Sequence, residues 1–241
     1  MFQNLRKSKK LVLIAMACAT FAIAGCGSDT TKTTADNGTS VTWSETFDGT
    51  KTDFAVKSAP THAVSMSQAT TEMMLQLGLE DKMAGTAFKE EEIYPPLQAA
   101  YDKVKVLSDK WPSYEVFMSV KPDFATGWPD SFSKRAIPAD KMIAQKVNIW
   151  LPESMLSTNA DLETNFNDMI KLGEIFGVKP KAEEWVAGQR KTLAAIQDKL
   201  KDLPRKRVFI YDSEDGQPFT AFEGYTTNIL KLIGADNVMS G

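Results

Sequence analysis

One pattern recurs between Ala63 and Trp150: an apolar run of strand length, a stretch with helical spacing, then another such run. "AVSM" (Ala63 to Met66) suits a short buried strand. Ser67 to Thr71 offer helix N-caps, Glu72 to Leu77 supply a turn or two of helix, and Gly78 fits the left-handed residue that ends one. Lys82 to Thr86 is the next strand and "KVKVLSD" (Lys103 to Asp109) the one after, followed by a helix in "PSYEVFMSVKPD" with Pro112 at its first position. "FATGW" is a further strand, and "SFSKRAIPADKMIAQKVNIWLPES" reads as helix then strand. Short strands alternating with helices build a mainly parallel α/β sheet, which binds ligands in the crevice beyond the carboxyl ends of its strands.

Before this region, "SVTWSETFDGTKTDF" alternates apolar and polar residues around the turn dipeptide Asp48-Gly49, which predicts a β-hairpin within 41–58. After it, Leu162, Phe166, Met169, Ile170, Leu172 and Ile175 form a helical stripe ended by Gly177. A longer helix follows Lys179-Pro180, with Trp185, Val186, Leu193, Ile196 and Leu200 at helical spacing, and Pro204 stops it. Trp185 reads as core. "RVFIYD" then predicts a strand and "YTTNILKLIGAD" a helix. One strand and one helix do not close a core, so 204–241 reads as the start of a second α/β unit, cut short, rather than as an addition to the first sheet.

The first ten residues hold Arg6, Lys7, Lys9 and Lys10 and no acid, and Leu11 to Gly25 are uncharged. Fifteen helical residues rise only about 22 Å, short of a bilayer core, so 1–25 reads as a signal peptide rather than a permanent span. Ile23-Ala24-Gly25-Cys26 resembles a bacterial lipobox, which makes Cys26 the expected site of lipidation. Cys18 leaves with the signal, so no disulfide is expected. The polar tract 26–40 reads as a flexible tether. Removal of the signal leaves 24 Lys+Arg against 31 Asp+Glu, a net charge of −7, which argues against a nucleic-acid partner. The expected location is extracytoplasmic, on the bacterial cell membrane, with membrane contact through the lipid alone.

Four segments taken in order resemble a known family: "ATTEMMLQLGLEDKMAGT", "PSYEVFMSVKPDFATGW", "AEEWVAGQRKTLAAIQDKL" and "KRVFIYDSEDGQPFTAFEGYTTNILKLIGADNVMSG". The sequence is similar over about Ala59 to Gly241 to the substrate-binding lipoproteins of ABC importers for ferric siderophores, cobalamin and haem. These are class III periplasmic binding proteins, with two Rossmann-like α/β lobes joined by a single long helix. The resemblance implies an N-terminal lobe over 59–180, an interlobe helix over 181–203 and an incomplete C-terminal lobe over 204–241. It also implies an ABC permease and its ATPase as partners, a monomer, and a ferric siderophore, cobalamin or haem as cargo, with no resident cofactor.

Glu72 matches the position of the family's permease-docking glutamate, and the resemblance implies that role over the alternative of a helix-start acid. Its counterpart in the second lobe would lie beyond Gly241. Aromatic residues gather after strand ends, where a flat or apolar chelate gains contact from ring faces. The alignment points Trp111 and Trp128 to the cleft, and Phe88, Tyr94, Tyr114 and Phe222 stand between ligand contact and local packing. Lys89, Lys110 and Arg135 lie near the same loop ends and are available to anionic cargo or to solvent. His62 is the one histidine, which is too few for a transition-metal site. No nucleophile elbow, P-loop, zincin or dinucleotide motif is present, so no enzyme is expected. The reading from another class is a surface interaction or adhesion lipoprotein without small-molecule cargo.

Overall fold

The computed structural model describes residues 40–221 and 223–240. The expected signal peptide, Cys26, the tether to 39 and Phe222 lie outside the described residues. The hairpin is β1 (Val41–Phe47) against β2 (Thr50–Val56), in antiparallel register from Val41↔Val56 to Phe47↔Thr50. Asp48 and Gly49 both take positive φ, +47° and +78°, which matches the twist that a two-residue hairpin loop needs.

The sheet then builds through β3 (Ala63–Met66), α1 (Gln68–Gln76), β4 (Met83–Ala87), α2 (Gln98–Tyr101), β5 (Val106–Ser108), α3 (Tyr114–Ser119), β6 (Phe124–Gly127), α4 (Ala139–Ala144) and β7 (Asn148–Trp150). Its strand order is β5-β4-β3-β6-β7, and every neighbouring pair is parallel. All four residues of β3 are buried because helices or the hairpin cover both faces; three are apolar, and the fourth, Ser65, shares its hydroxyl with those of Thr70 and Thr71. Alternation divides the core. Phe124 and Trp150 join Met74, Leu172 and Val186 on one face, while Ala125 and Ile149 join Phe117, Met142 and Phe54 on the other. Two helix starts differ from expectation. Ser67 caps α1 by accepting from the Thr70 N–H, which draws the helix back to Gln68. Ser113 caps α3, so Pro112 precedes the helix rather than opening it.

Helix α5 (Leu162–Ile175) opens with a reciprocal Asp161–Thr164 capping box, and α6 (Lys179–Leu200) packs back against it. Beyond α6 come β8 (Lys206–Val208), β9 (Ser213–Glu214), β10 (Pro218–Phe219), α7 (Tyr225–Leu232) and β11 (Ala235–Asn237). β8 and β11 pair in parallel across α7, and β9 pairs with β10, apart from the five-stranded sheet. Phe209, Tyr211 and Phe219 here are each more than half exposed.

The hairpin meets the outer edge of β7 through side chains. Trp43 Nε1 donates to the Ile149 carbonyl at 2.7 Å, and the Glu45 carboxylate accepts from the Leu151 N–H at 3.0 Å. Glu45 is buried, with the Glu153 and Asp168 carboxylates nearby, and burial raises its pKa to about 7. Asp168, which accepts from the Glu153 and Ser154 N–H groups, is also raised by burial. A carboxyl raised in the folded state favours the protonated fold, so the stability it confers at low pH is lost as pH rises from its unfolded value through about 7. Glu45→Gln, which keeps an acceptor for Leu151, is expected to raise stability at pH 8 by on the order of 2 kcal/mol. The gain should fade towards pH 5. Urea unfolding of both proteins at the two pH values checks this, and a gain independent of pH would rule it out.

Candidate functional site

The chain adds β4 and β5 on one side of β3 and then crosses to add β6 and β7 on the other. The loops leaving β3 and β6 therefore diverge, and an open crevice lies at their carboxyl ends. Four strand ends deliver the cleft residues: β3 ends at Met66, β4 leads into Phe88, β5 into Lys110 and Trp111, and β6 into Trp128. The Met66 carbonyl is the fixed point. It accepts from Trp111 Nε1 and from the Ser131 hydroxyl, both at 3.2 Å.

Phe88 stacks on Trp111, with centroids 4.7 Å apart and planes 18° from parallel, and Lys110 Nζ lies 5.2 Å from the Phe88 ring centre. Phe88 holds φ at +60°, a left-handed conformation uncommon for a bulky side chain, and this turn aims its ring at Trp111. Across the opening, Trp128 Nε1 donates to Glu90 at 3.2 Å. Phe88, Glu90, Trp111, Trp128, Pro129 and Asp130 enclose a cleft of about 390 Å³. Asp130 is paired with Arg135 at 2.6 Å, so neither charge stands alone. Lys110 and Glu90 are the other charges beside the rings, and Lys89 points into solvent.

The structure thus brings Phe88, Trp111 and Trp128 together and separates Tyr94 and Tyr114 from them. Tyr114 opens α3, partly buried against the core beneath that helix, with Lys141 Nζ 5.8 Å from its ring centre. Tyr94 lines a different hollow of about 650 Å³, shared with Glu72, Met73, Pro96, Met169 and Trp185. Trp185 meets Phe166 edge-on at 6.2 Å and is only partly buried, so it is half core and half wall of this hollow. Glu72 stands in the second turn of α1 and takes no part in the Ser67 cap, so it is not a helix-start acid. Its carboxylate instead accepts from Gln68 Nε2 at 2.9 Å and from the Tyr94 N–H at 3.1 Å. Tyr225 opens α7 and is partly buried.

The sequence reading missed Glu90, which sits in the acidic run Glu90-Glu91-Glu92 and resembles a solvated face. It also missed Gln68, which bears no charge. His62 is exposed beside the start of β3, with its backbone N–H bonded to Asp123. Among the described residues no cluster of three or more His, Cys, Asp or Glu side chains is placed to hold a metal ion, and no helix is long and apolar enough to cross a membrane.

The sequence profile of the periplasmic binding protein family matches residues 64–240. The chain belongs to that family. It is a binding protein rather than an enzyme. A crystal structure of a periplasmic binding protein from Veillonella parvula dsm 2008 has 96% identity and a TM-score of 0.84, over 85% of this chain and 69% of that one. An uncharacterized ABC transporter substrate-binding lipoprotein of Bacillus subtilis (strain 168), YvrC, is 26% identical over 237 residues, 96% of this chain and 73% of its own. A vitamin B12-binding protein of Vibrio vulnificus (strain YJ016) is 24% identical over 190 residues, 78% of this chain and 65% of its own. The chain therefore spans 65% to 73% of the length of these two relatives.

Trp111→Phe keeps a ring against Phe88 and removes the indole bond to Met66. It is expected to cost about 1 kcal/mol in urea unfolding. A variant as stable as the parent would show that Ser131 alone holds that carbonyl.

Proposed function

We propose that this protein is the extracytoplasmic receptor of an ABC importer, that it holds a metal chelate of the iron–siderophore type against Phe88, Trp111 and Trp128, and that it passes the chelate to a permease and its ATPase. The observation that carries this reading is the convergence of three aromatic residues from three different strand ends on the crevice where the strand order reverses. Ring faces suit a large ligand with apolar or conjugated surface and restrict few rotatable bonds in binding it. The names of the Bacillus and Vibrio relatives point the same way, to an ABC transporter and to vitamin B12.

The charge around the cleft favours a ferric hydroxamate as the first cargo to test. Arg135 is engaged by Asp130, and Lys110 faces a wall that also carries Glu90, so among the described residues the cleft holds no surplus of positive charge for a highly anionic ferric catecholate. Cobalamin is the alternative cargo, followed by haem. In this reading Glu72 is the docking carboxylate, with Tyr94 beside it at the permease face rather than in the cleft. Cys26 carries the lipid anchor. The cargo is transported, and no resident cofactor is required.

Tryptophan-fluorescence titration of the full-length protein, checked by calorimetry, against ferrioxamine B, ferric enterobactin, cyanocobalamin and haemin tests the proposal. Saturable binding of one chelate is expected. Trp128→Ala should weaken it roughly tenfold, equivalent to about 1.4 kcal/mol of lost stacking. Binding that survives the loss of Trp128 and Trp111 would move the cargo elsewhere. No binding to any chelate would favour an interaction lipoprotein without small-molecule cargo.

A further inference from the structure

We infer that Gln68 is a positioning residue that ties the wall of the aromatic cleft to the Glu72 carboxylate, so that the two move as one unit. The inference rests on the cargo and docking roles proposed for those two places. Gln68 lies one turn before Glu72 on α1, and its amide group makes four hydrogen bonds. Oε1 accepts from the backbone N–H groups of Glu90 at 3.0 Å and Glu91 at 2.7 Å. Nε2 donates to Glu72 Oε1 at 2.9 Å and to the Glu92 carbonyl at 3.1 Å. A primary amide has two protons and two lone pairs, so its bonding capacity is filled. No other side chain does this at the same size: a carboxylate lacks the donors and an ammonium lacks the acceptors.

The segment so held reaches in two directions. At one end Glu90 accepts from the Trp128 indole, and Phe88, two residues earlier, stacks on Trp111. At the other end the Tyr94 N–H bonds the same Glu72 oxygen that Gln68 bonds. Among the described residues, residues 90–92 have no backbone-to-backbone hydrogen bond, so the Gln68 amide supplies the hydrogen bonds to their backbone. A displacement of Glu90 by cargo lodged against Trp128 therefore pulls on Gln68, and through its Nε2 on Glu72. Coupling of this kind is reciprocal: a change at Glu72 must register at the cleft.

The test uses the full-length protein with Glu72→Ala, Gln68→Ala, Gln68→Glu and the two doubles, each checked for folding by thermal melt. Three readouts apply: hydrogen exchange at the Glu90 and Glu91 amides, the emission of Trp128 taken by difference against Trp128→Phe in each background, and the affinity for ferrioxamine B and cyanocobalamin. Glu72→Ala alone is expected to speed exchange at Glu90 and Glu91 by about fivefold or more and to shift the Trp128 emission. In the Gln68→Ala background its further effect should be much smaller, because only the Tyr94 N–H still ties this segment to Glu72. Gln68→Glu keeps acceptors for both loop amides, loses the donor and sets a second carboxylate beside Glu72, so there Glu72→Ala should slow exchange by relieving repulsion, the reverse of its effect in the parent. This variant serves if Gln68→Ala fails to fold. Exchange and emission that stay at parental values in Glu72→Ala, or that change equally with and without Gln68, overturn the inference. A link seen in exchange and emission with neither probe bound supports the inference and counts against the proposed cargo alone.

Discussion

The reversal of strand order around β3 is the constraint from which the site follows. A right-handed crossover can carry a parallel strand to either side of its predecessor, and here the chain spends β4 and β5 on one side before returning for β6 and β7. That return leaves the carboxyl end of β3 uncovered. The Met66 carbonyl, at the end of a strand that is buried throughout, would be a costly unpaired acceptor there. Trp111 and Ser131, from opposite sides of the reversal, both donate to it. One backbone oxygen thus sets the positions of two loops, and with them the spacing of the rings.

Much of this was legible because burial on both faces leaves a plain trace. β3 reads as a buried strand since three of its four residues are apolar and neither side of it meets water, and Asp48-Gly49 reads as a turn since few other pairs take two positive φ angles. Helix ends were less legible, because a cap depends on which of several hydroxyls wins. Ser67 has Ser65, Thr70 and Thr71 close by, and Ser113 follows a proline that also suits a helix start; the outcome moved the start of α1 back and that of α3 forward relative to expectation.

The cleft was legible in its tryptophans and not in its orientation. Phe88 and Tyr94 stand six residues apart in one loop, yet the left-handed turn at Phe88 and the tie of Tyr94 to Glu72 send them to different hollows. Nothing local in the sequence encodes that divergence, since it depends on Gln68 and Glu72, residues some twenty positions away in the chain. Glu90 was hidden for a related reason: in an acidic run each carboxylate looks alike, and only the approach of Trp128 distinguishes one of them.

The hairpin shows how the far side of the sheet is finished. A sixth strand paired to β7 by its backbone would only have moved the open edge outward by one position, with the same row of free donors and acceptors. Trp43 and Glu45 instead meet the Ile149 carbonyl and the Leu151 N–H with an indole and a carboxylate, groups that present no ladder of their own. The hydrogen-bond sequence of the sheet stops there. Such a terminus removes a template on which other copies of the chain would otherwise polymerise strand to strand.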